Sequence, residues 1–226
     1  MRLRNIPGSR EAIAESSYVI PEKDMRSYRG RWHEVFGNAN PIDLEIGMGK
    51  GQFLMELSEK NPFRNYIGVE KYSSVLIRAI EKRSAREDLT NLYFLRMEAE
   101  YLPEVFGPEE ISRIYLNFSD PWPKDRHAHR RLPGRVFLAR YEQFLCADGQ
   151  IEFKTDNQDL FSFALEEARE AGWNIYAATR DLHHDPELAV GNIMTEYEAK
   201  FSSLGNPICK MIIGKQQNSN QKGTVS

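Results

Sequence analysis

The strongest constraint on the fold of this chain is a regular alternation of short apolar segments with longer amphipathic ones. Segments with the length and apolar content of strands lie at 42–46, 65–70, 91–97, 112–118 and 150–155. Segments with the helical spacing of apolar residues lie at 51–60, 74–86, about 135–146 and 158–171. This alternation predicts an α/β fold with a mostly parallel sheet. Two late strands, 173–180 and 207–213, are expected to form an antiparallel pair.

The composition fits one globular domain with additions at both ends. The chain has 226 residues, of which 41% are hydrophobic and 28% charged, and that is enough apolar material for a core. We expect an N-terminal extension at 1–40, a main domain at 41–213 and a disordered polar tail at 214–226. An apolar run of 18 residues and a signal peptide are both missing, so we expect a cytoplasmic protein without a membrane span. The two cysteines, Cys146 and Cys209, provide neither a disulfide framework nor a metal site.

A glycine-rich turn lies where the first strand ends and the first helix begins. Its spacing, Gly47-x-Gly49-x-Gly51, differs from the G-x-G-x-x-G of dinucleotide-binding proteins, and Glu45 precedes it directly. An acid at this place opposes a phosphate and favours a cation or an amino group. S-adenosylmethionine, which carries a sulfonium and an α-amino group and no phosphate, has this chemistry. A tight turn without a ligand is the alternative interpretation.

Acidic and aromatic residues follow the next strands. Glu70 ends the second strand, where a carboxylate can bind ribose hydroxyls, and Glu98 follows the third strand near an expected adenine. Residues 117–124 (NFSDPWPK) follow the fourth strand and place Asp120 beside Trp122 between two prolines. We expect this stiff loop to face the cofactor, and a Pro-rich turn with Trp122 packed inward is the alternative.

Basic residues are concentrated after this loop, although the whole chain has a net charge of −3. Residues 124–140 contain six basic residues and one acidic residue, and this local bias predicts a surface that binds a phosphate backbone. Polar groups also end the fifth strand (KTDN, 154–157) and open a late helix (TEYE, 195–198). Thr195 and Glu198 also have the spacing of a capping box, which is the purely structural interpretation of that segment.

Together, residues 42–51, NFSDPWPK with the following RHAHRR, KTDN and GNIMTEYE resemble the bacterial tRNA (guanine-N7-)-methyltransferase family over nearly the whole chain. The resemblance implies a class I S-adenosylmethionine-dependent methyltransferase (Rossmann-like) fold. Its sheet is expected to be mostly parallel and seven-stranded with an antiparallel last strand. It also implies methylation of a guanosine in the variable loop of tRNA. We expect the protein to be a monomer or a homodimer.

The resemblance carries roles onto particular residues. It implies that Asp120 is catalytic and that the cofactor-binding residues are Glu45, Gly47, Gly49, Glu70, Glu98 and Asp120. The implied guanosine contacts are Lys124, Asp156, Thr195, Glu196, Tyr197 and Glu198, and the implied RNA-binding segment comprises Arg126, His127, Ala128, His129, Arg130 and Arg131. The sequence departs from the family pattern at Met48, Glu98, Asp125 and Pro133.

Three other functions stay open at this point. They are methylation of another base or of a protein, tRNA binding without catalysis, and nicotinamide-dependent oxidation. The NFSDPWP loop differs from the N/D-P-P-Y/F loop of enzymes that methylate amino groups. The acids at the strand ends speak against a protein that only binds RNA, and the glycine spacing speaks against a nicotinamide site.

Overall fold

The computed structural model describes residues 6–216, and its strands are β1 (Ile42–Ile46), β2 (Asn65–Val69), β3 (Leu92–Leu95), β4 (Ile111–Asn117), β5 (Leu145–Thr155), β6 (Asn174–Thr179) and β7 (Cys209–Gly214). They form one seven-stranded sheet in the order β3-β2-β1-β4-β5-β7-β6. The first five strands pair in parallel, whereas β7 lies antiparallel between β5 and β6. The predicted fold class and the antiparallel last strand are confirmed.

Strand order explains where a ligand can bind. The chain proceeds outward from β1 to β2 and β3, then returns to β4 on the other side of β1. The crossovers therefore diverge at the carboxyl ends of β1 and β4, which is where open α/β sheets bind ligands. All five residues of β1 are buried, because helices and loops cover both faces of the sheet there.

The helices in the described part of the chain are α1 (Ser9–Glu15), α2 (Glu22–Met25), α3 (Trp32–Phe36), α4 (Gln52–Lys60), α5 (Ser73–Ser84), α6 (Leu102–Val105), α7 (Arg135–Tyr141), α8 (Gln158–Glu170) and α9 (Glu196–Ser202). The helix predicted at about 135–146 is too long, since α7 ends at Tyr141. Phe144 and Leu145 are fully buried, and Leu145 already pairs with Ile111 of β4. Because Phe144 and Leu145 are buried against the sheet, the chain leaves the helix earlier than predicted and β5 already begins at Leu145.

The described part of the predicted N-terminal extension packs onto the sheet. Val19 forms a parallel bridge with Phe94 of β3, whose N–H donates to the carbonyl of Tyr18. Trp32 is fully buried in the main core and donates through Nε1 to the Val105 carbonyl. This segment therefore covers the edge of the sheet next to β3.

The C-terminal strand β7 includes Gly214, one residue beyond the predicted limit of the main domain. The predicted disordered tail, 214–226, falls mostly outside the described residues. Within 6–216, no helix combines the length and the apolar character that a membrane crossing requires.

Candidate functional site

The glycine turn at the end of β1 requires a backbone that other residues rarely adopt. Gly47, Gly49 and Gly51 have φ values of 77°, 58° and 75°, in the left-handed region. Added Cβ atoms at Gly47 and Gly49 would have open space around them, so backbone conformation and not crowding requires glycine there. The N–H groups of Gly47 and Met48 donate to the Val69 carbonyl, which fixes the turn against β2.

Glu45 is a buried carboxylate whose hydrogen-bonding capacity is only partly used. Its Oε1 accepts a hydrogen bond of 2.8 Å from Asn117 Nδ2. No donor among the described residues pairs with Oε2, which is also buried. Burial raises the pKa of Glu45 to about 7, and the Asn117 hydrogen bond opposes that shift. An unpartnered buried oxygen of this kind suits a cationic ligand group.

A cavity of about 580 Å³ lies at the carboxyl ends of β1, β2 and β4. This volume is within the range of small-molecule sites. The lining residues from the predicted site are Gly47, Glu70, Glu98, Asp120, His129 and Arg130. Glu45 and Gly49 do not line the cavity, although their neighbours Ile46 and Gly47 do. The structure thus brings the strand-end acids together around one opening, with Glu45 buried beside it.

Glu70 and Glu98, two of the acids that line the cavity, differ in their surroundings. Glu70 is buried, its Oε1 accepts a hydrogen bond of 2.9 Å from the Tyr72 N–H, and burial raises its pKa. Glu98 is exposed, and its Oε2 lies 3.6 Å from the Lys71 ammonium. The hydrogen bond from Tyr72 therefore fixes the orientation of the Glu70 carboxylate, whereas the Glu98 side chain is open to solvent.

The loop after β4 has an unusual backbone. Phe118 and Trp122 have φ values of 53° and 43°, which cost free energy for residues other than glycine. Phe118, Trp122 and the exposed Asp120 between them all line the cavity. The alternative, a Pro-rich turn with Trp122 packed inward, is not what the structure shows, because Trp122 is only half-buried and lines the cavity.

Arg131 holds this loop in place. Its guanidinium donates hydrogen bonds of 3.0–3.2 Å to the carbonyls of Pro121 and Trp122 and lies over the Phe163 ring at 4.4 Å. Its side chain is 12% exposed, which leaves little of it for RNA. Arg130, in contrast, is exposed and lies 4.9 Å from the Trp122 ring centroid.

For the methyl transfer that the sequence predicts, we expect Arg131→Ala to lower kcat, and with it kcat/KM, about tenfold. The reason is that the strained loop loses the hydrogen bonds that hold its conformation. Steady-state kinetics measures this, with thermal melting to establish that the fold is retained. Arg130→Ala is the matched control, since it removes a neighbouring guanidinium without loop hydrogen bonds. A kcat loss equal to that of Arg130→Ala would refute the positioning role of Arg131.

Two residues of the remaining basic segment, His129 and Arg130, line the cavity. Asp125–Arg130 form a 3₁₀ helix, in which His127 and Ala128 are half-buried and His127 meets the Trp122 ring edge-on. Lys124, Arg126, His129 and Arg130 are exposed. The predicted RNA-binding residues thus divide into exposed side chains (Arg126, His129 and Arg130) and half-buried ones (His127, Ala128 and Arg131).

The structure brings three of the predicted substrate-side elements into contact. Tyr197 of α9 donates from Oη to Asp156 Oδ2 at 3.3 Å. The same ring stacks on Phe201 at 4.0 Å and lies 4.8 Å from the ring of Phe118 in the Asp120 loop. Residues from the ends of β4 and β5 and from α9 therefore share one wall.

One of the two hydrogen bonds of the predicted capping box is present at the start of α9. Thr195 Oγ1 accepts a hydrogen bond of 3.0 Å from the Glu198 N–H, as an N-cap does. The Glu198 carboxylate does not accept a hydrogen bond from the Thr195 N–H, which a complete capping box requires. It is fully buried, and it pairs with Lys154 at 2.6 Å and with Asn192 at 2.7 Å. Glu196 pairs with Lys82 at 2.7 Å and Lys50 at 3.6 Å.

Sequence reasoning did not single out several residues of this site. Lys71, Tyr72, Val136, Phe137 and Arg140 line the cavity, and His183 lies 3.3 Å from the Glu198 carboxylate. The segment that includes His183 had the pattern of an ordinary polar loop. Lys154 could have been noticed from the sequence, because it is a charged residue between Phe153 and Thr155 in a predicted strand. The structure buries all three residues.

Comparison with known proteins places the chain among methyltransferases. Residues 39–211 match a family model described as "Putative methyltransferase". A tRNA (guanine-N(7)-)-methyltransferase from Lachnoclostridium phytofermentans is 59% identical over 96% of this chain and 100% of its own length. One from Geobacillus thermodenitrificans is 49% identical, with 96% and 100% coverage. An antibiotic-related methyltransferase superposes with a TM-score of 0.60 at 19% identity, covering 81% of this chain and 92% of its own, and supports the fold alone.

Proposed function

The chain belongs to the bacterial tRNA (guanine-N7-)-methyltransferase family, and we propose that it methylates N7 of a guanosine in the variable loop of tRNA. It is an S-adenosylmethionine-dependent enzyme. The observation that carries the proposal for the site is the shared wall of Asp120, Phe118, Tyr197 and Asp156 beside the cavity. We propose that it acts in the cytoplasm as a monomer or homodimer.

The residues at the strand ends fit S-adenosylmethionine. The unpartnered buried oxygen of Glu45 suits its amino group, and the oriented carboxylate of Glu70 suits ribose hydroxyls. Glu98, Gly47 and Gly49 complete the proposed cofactor site, in which the longer Glu98 replaces the aspartate usual in the family. When bound, the cofactor supplies a methyl group made electrophilic by an adjacent sulfonium.

Asp120 is the proposed catalytic residue. Guanine N7 carries an in-plane lone pair and no proton, so it needs no general base to become a nucleophile. The base gains positive charge as N7 is methylated, and a carboxylate beside it stabilises that charge. The strained loop, held by Arg131, gives Asp120 a defined position before the substrate arrives.

Asp156 is the best placed acid for recognising guanine. One of its oxygens accepts from Tyr197, and the other can accept from N1–H or the 2-amino group, which adenine does not offer in the same arrangement. Glu196 and Glu198 are already paired with lysines. We therefore assign Asp156, Tyr197, Thr195 and Lys124 to guanosine contacts, and Glu196 and Glu198 to holding that surface together.

Arg126 and Arg130 are exposed, and they are the proposed contacts to tRNA phosphates. Arg130→Ala should raise KM for tRNA about threefold to tenfold, with kcat little changed, because a phosphate contact adds affinity equally to ground and transition states. The measurement is KM over a salt series. The slope of log KM against log salt should become shallower by about one. An unchanged slope would exclude a phosphate contact at Arg130.

Methyl transfer to two tRNA transcripts tests the proposed site of modification. We expect labelled S-adenosylmethionine to methylate an unmodified transcript, and expect transfer to be lost when its variable-loop guanosine is replaced by adenosine. Transfer that persists at the same level on the altered transcript would place the methylated nucleotide elsewhere.

A further inference from the structure

Lys154 is a buried cation at the carboxyl end of β5 for which the proposed chemistry has no direct use. Its side chain is 4% exposed. Its ammonium donates to Glu198 Oε2 at 2.6 Å, to the Ile193 carbonyl at 2.9 Å and to Asn192 Oδ1 at 3.2 Å. All three donors of the ammonium are therefore satisfied by residues 192–198.

The contacts of Lys154 join the two halves of the site. On the cofactor side, its ammonium lies 5.2 Å from the centroid of Phe53, on the helix that follows the glycine turn. In the sheet, Lys154 pairs in register with Asn117, which donates to Glu45. On the substrate side, it holds the segment that leads into Thr195 and Tyr197.

The Glu198 carboxylate completes a buried polar cluster, defined here as Lys154, His183, Asn192 and Glu198. Glu198 accepts from Lys154 and Asn192, and His183 Nε2 lies 3.3 Å away. Because each partner comes from a different part of the chain, the cluster fixes the segment before α9, the turn at 182–184 and the end of β5 relative to one another. A buried charge without these partners would be strongly unfavourable, so the cluster allows essentially one arrangement.

We propose that Lys154 is a positioning residue, which sets the guanosine-contacting residues Thr195 and Tyr197 at the correct place relative to the cofactor side of the site. This inference rests on the proposed function. Lys154 acts through Glu198, Asn192 and Ile193 and does not touch the substrate. Its removal should therefore affect guanosine binding much more than cofactor binding.

The chain offers a closely matched control. Lys210 of β7 is the register partner of Lys154, is also nearly buried, and pairs with a glutamate, Glu152, at 3.0 Å. Lys210→Met thus removes a nearly buried lysine–glutamate pair that joins β7 to β5, without touching residues 192–198, and Glu152 keeps its ion pair with Arg113 at 2.9 Å. The comparison separates a general loss of stability from a loss of positioning.

The test measures KM for a tRNA transcript, kcat, and the Kd for S-adenosylhomocysteine at pH 8 in the full-length wild type and three variants. Lys154→Met should raise KM for tRNA about tenfold or more and change the Kd less than about threefold. Asn192→Ala keeps the ion pair and should raise KM by a smaller factor. Lys210→Met should leave KM within about twofold.

Three outcomes would overturn the proposal. They are an unchanged KM in Lys154→Met, a KM increase in Lys210→Met as large as in Lys154→Met, or an equal loss of cofactor affinity and tRNA affinity in Lys154→Met. If Lys154→Met does not fold, Asn192→Ala decides, and a KM equal to that of the wild type overturns the proposal. Failure of the proposed function is distinguishable, because the wild type itself would then methylate no tRNA.

Discussion

Replacing Asp120 with alanine should lower kcat by about a hundredfold to a thousandfold while KM for tRNA changes little. Asp120 stands at the cavity wall on a loop whose backbone is strained at Phe118 and Trp122. In the proposed mechanism, such a loop keeps the carboxylate in place before the reaction, where its charge would stabilise the positive charge that develops on the base. The proposed tRNA contacts lie mostly on other residues, so affinity for tRNA should be retained.

Asp125→Ala is the matched control for this prediction. Asp125 is five residues away on the same connection, and its carboxylate is fully exposed and 4.0 Å from Arg131. Its removal should leave kcat within about twofold of the wild type, because an exposed surface ion pair contributes little. Single-turnover rates at saturating tRNA and cofactor measure the chemical step directly. A rate for Asp120→Ala equal to that of Asp125→Ala would exclude a catalytic role for Asp120.

Replacing Glu45 with glutamine should weaken S-adenosylmethionine binding about tenfold to a hundredfold at pH 8. The buried carboxylate has one oxygen bound to Asn117 and one without a partner, so the charge that a cationic amino group would neutralise is lost in the variant. Glutamine keeps the size of the side chain and an acceptor for Asn117. The loss is therefore electrostatic and not a consequence of repacking.

The pH dependence of binding provides a second readout for Glu45. Burial raises its pKa to about 7 in the free protein, and a cation binds the ionised form. Affinity should consequently fall as the pH drops through 7, by about tenfold between pH 8 and pH 6. The ratio of wild-type to Glu45→Gln Kd values removes any titration of the ligand itself. A ratio that stays constant from pH 6 to pH 8 would contradict the assignment.

Asp43→Asn is the control for Glu45→Gln. Asp43 is a second buried acid on β1, but it lies near the other end of the strand and forms an ion pair with Arg64 at 2.6 Å. Its loss should reduce stability, because it leaves Arg64 unpaired, without changing cofactor affinity by more than about twofold. A comparable loss of affinity in both variants would point to a general effect of disturbing β1.

The parts of the fold that local patterns dictate could be predicted from the sequence. Strand β1 was predicted with its observed limits, because its residues are apolar and a glycine turn ends it. The end of α7 was not predicted, since Phe144 and Leu145 continue a helical apolar pattern. Their burial against β4 overrides that pattern, and this is a tertiary effect that one segment does not reveal.

The candidate site shows the same division. Glycines with positive φ and acids at strand ends follow from how parallel strands share an edge, so the sequence was informative about Gly47, Glu45 and Glu70. The role of Glu198 was not predictable, because the capping-box spacing describes its backbone correctly and its carboxylate incorrectly. Its partner Lys154 is 44 residues away in the chain and becomes its neighbour only in the folded structure.

Identification of the nucleoside that the enzyme methylates tests the central claim most directly. The protein is incubated with unmodified tRNA transcript and S-adenosylmethionine, and the RNA is digested to nucleosides. The nucleosides are separated by chromatography, which resolves isomers of equal mass, and are identified by mass spectrometry. The account predicts 7-methylguanosine from the wild type and at least about a hundredfold less from Asp120→Ala in the same time. A different methylated nucleoside, or methylation that is unaffected in Asp120→Ala, would contradict it.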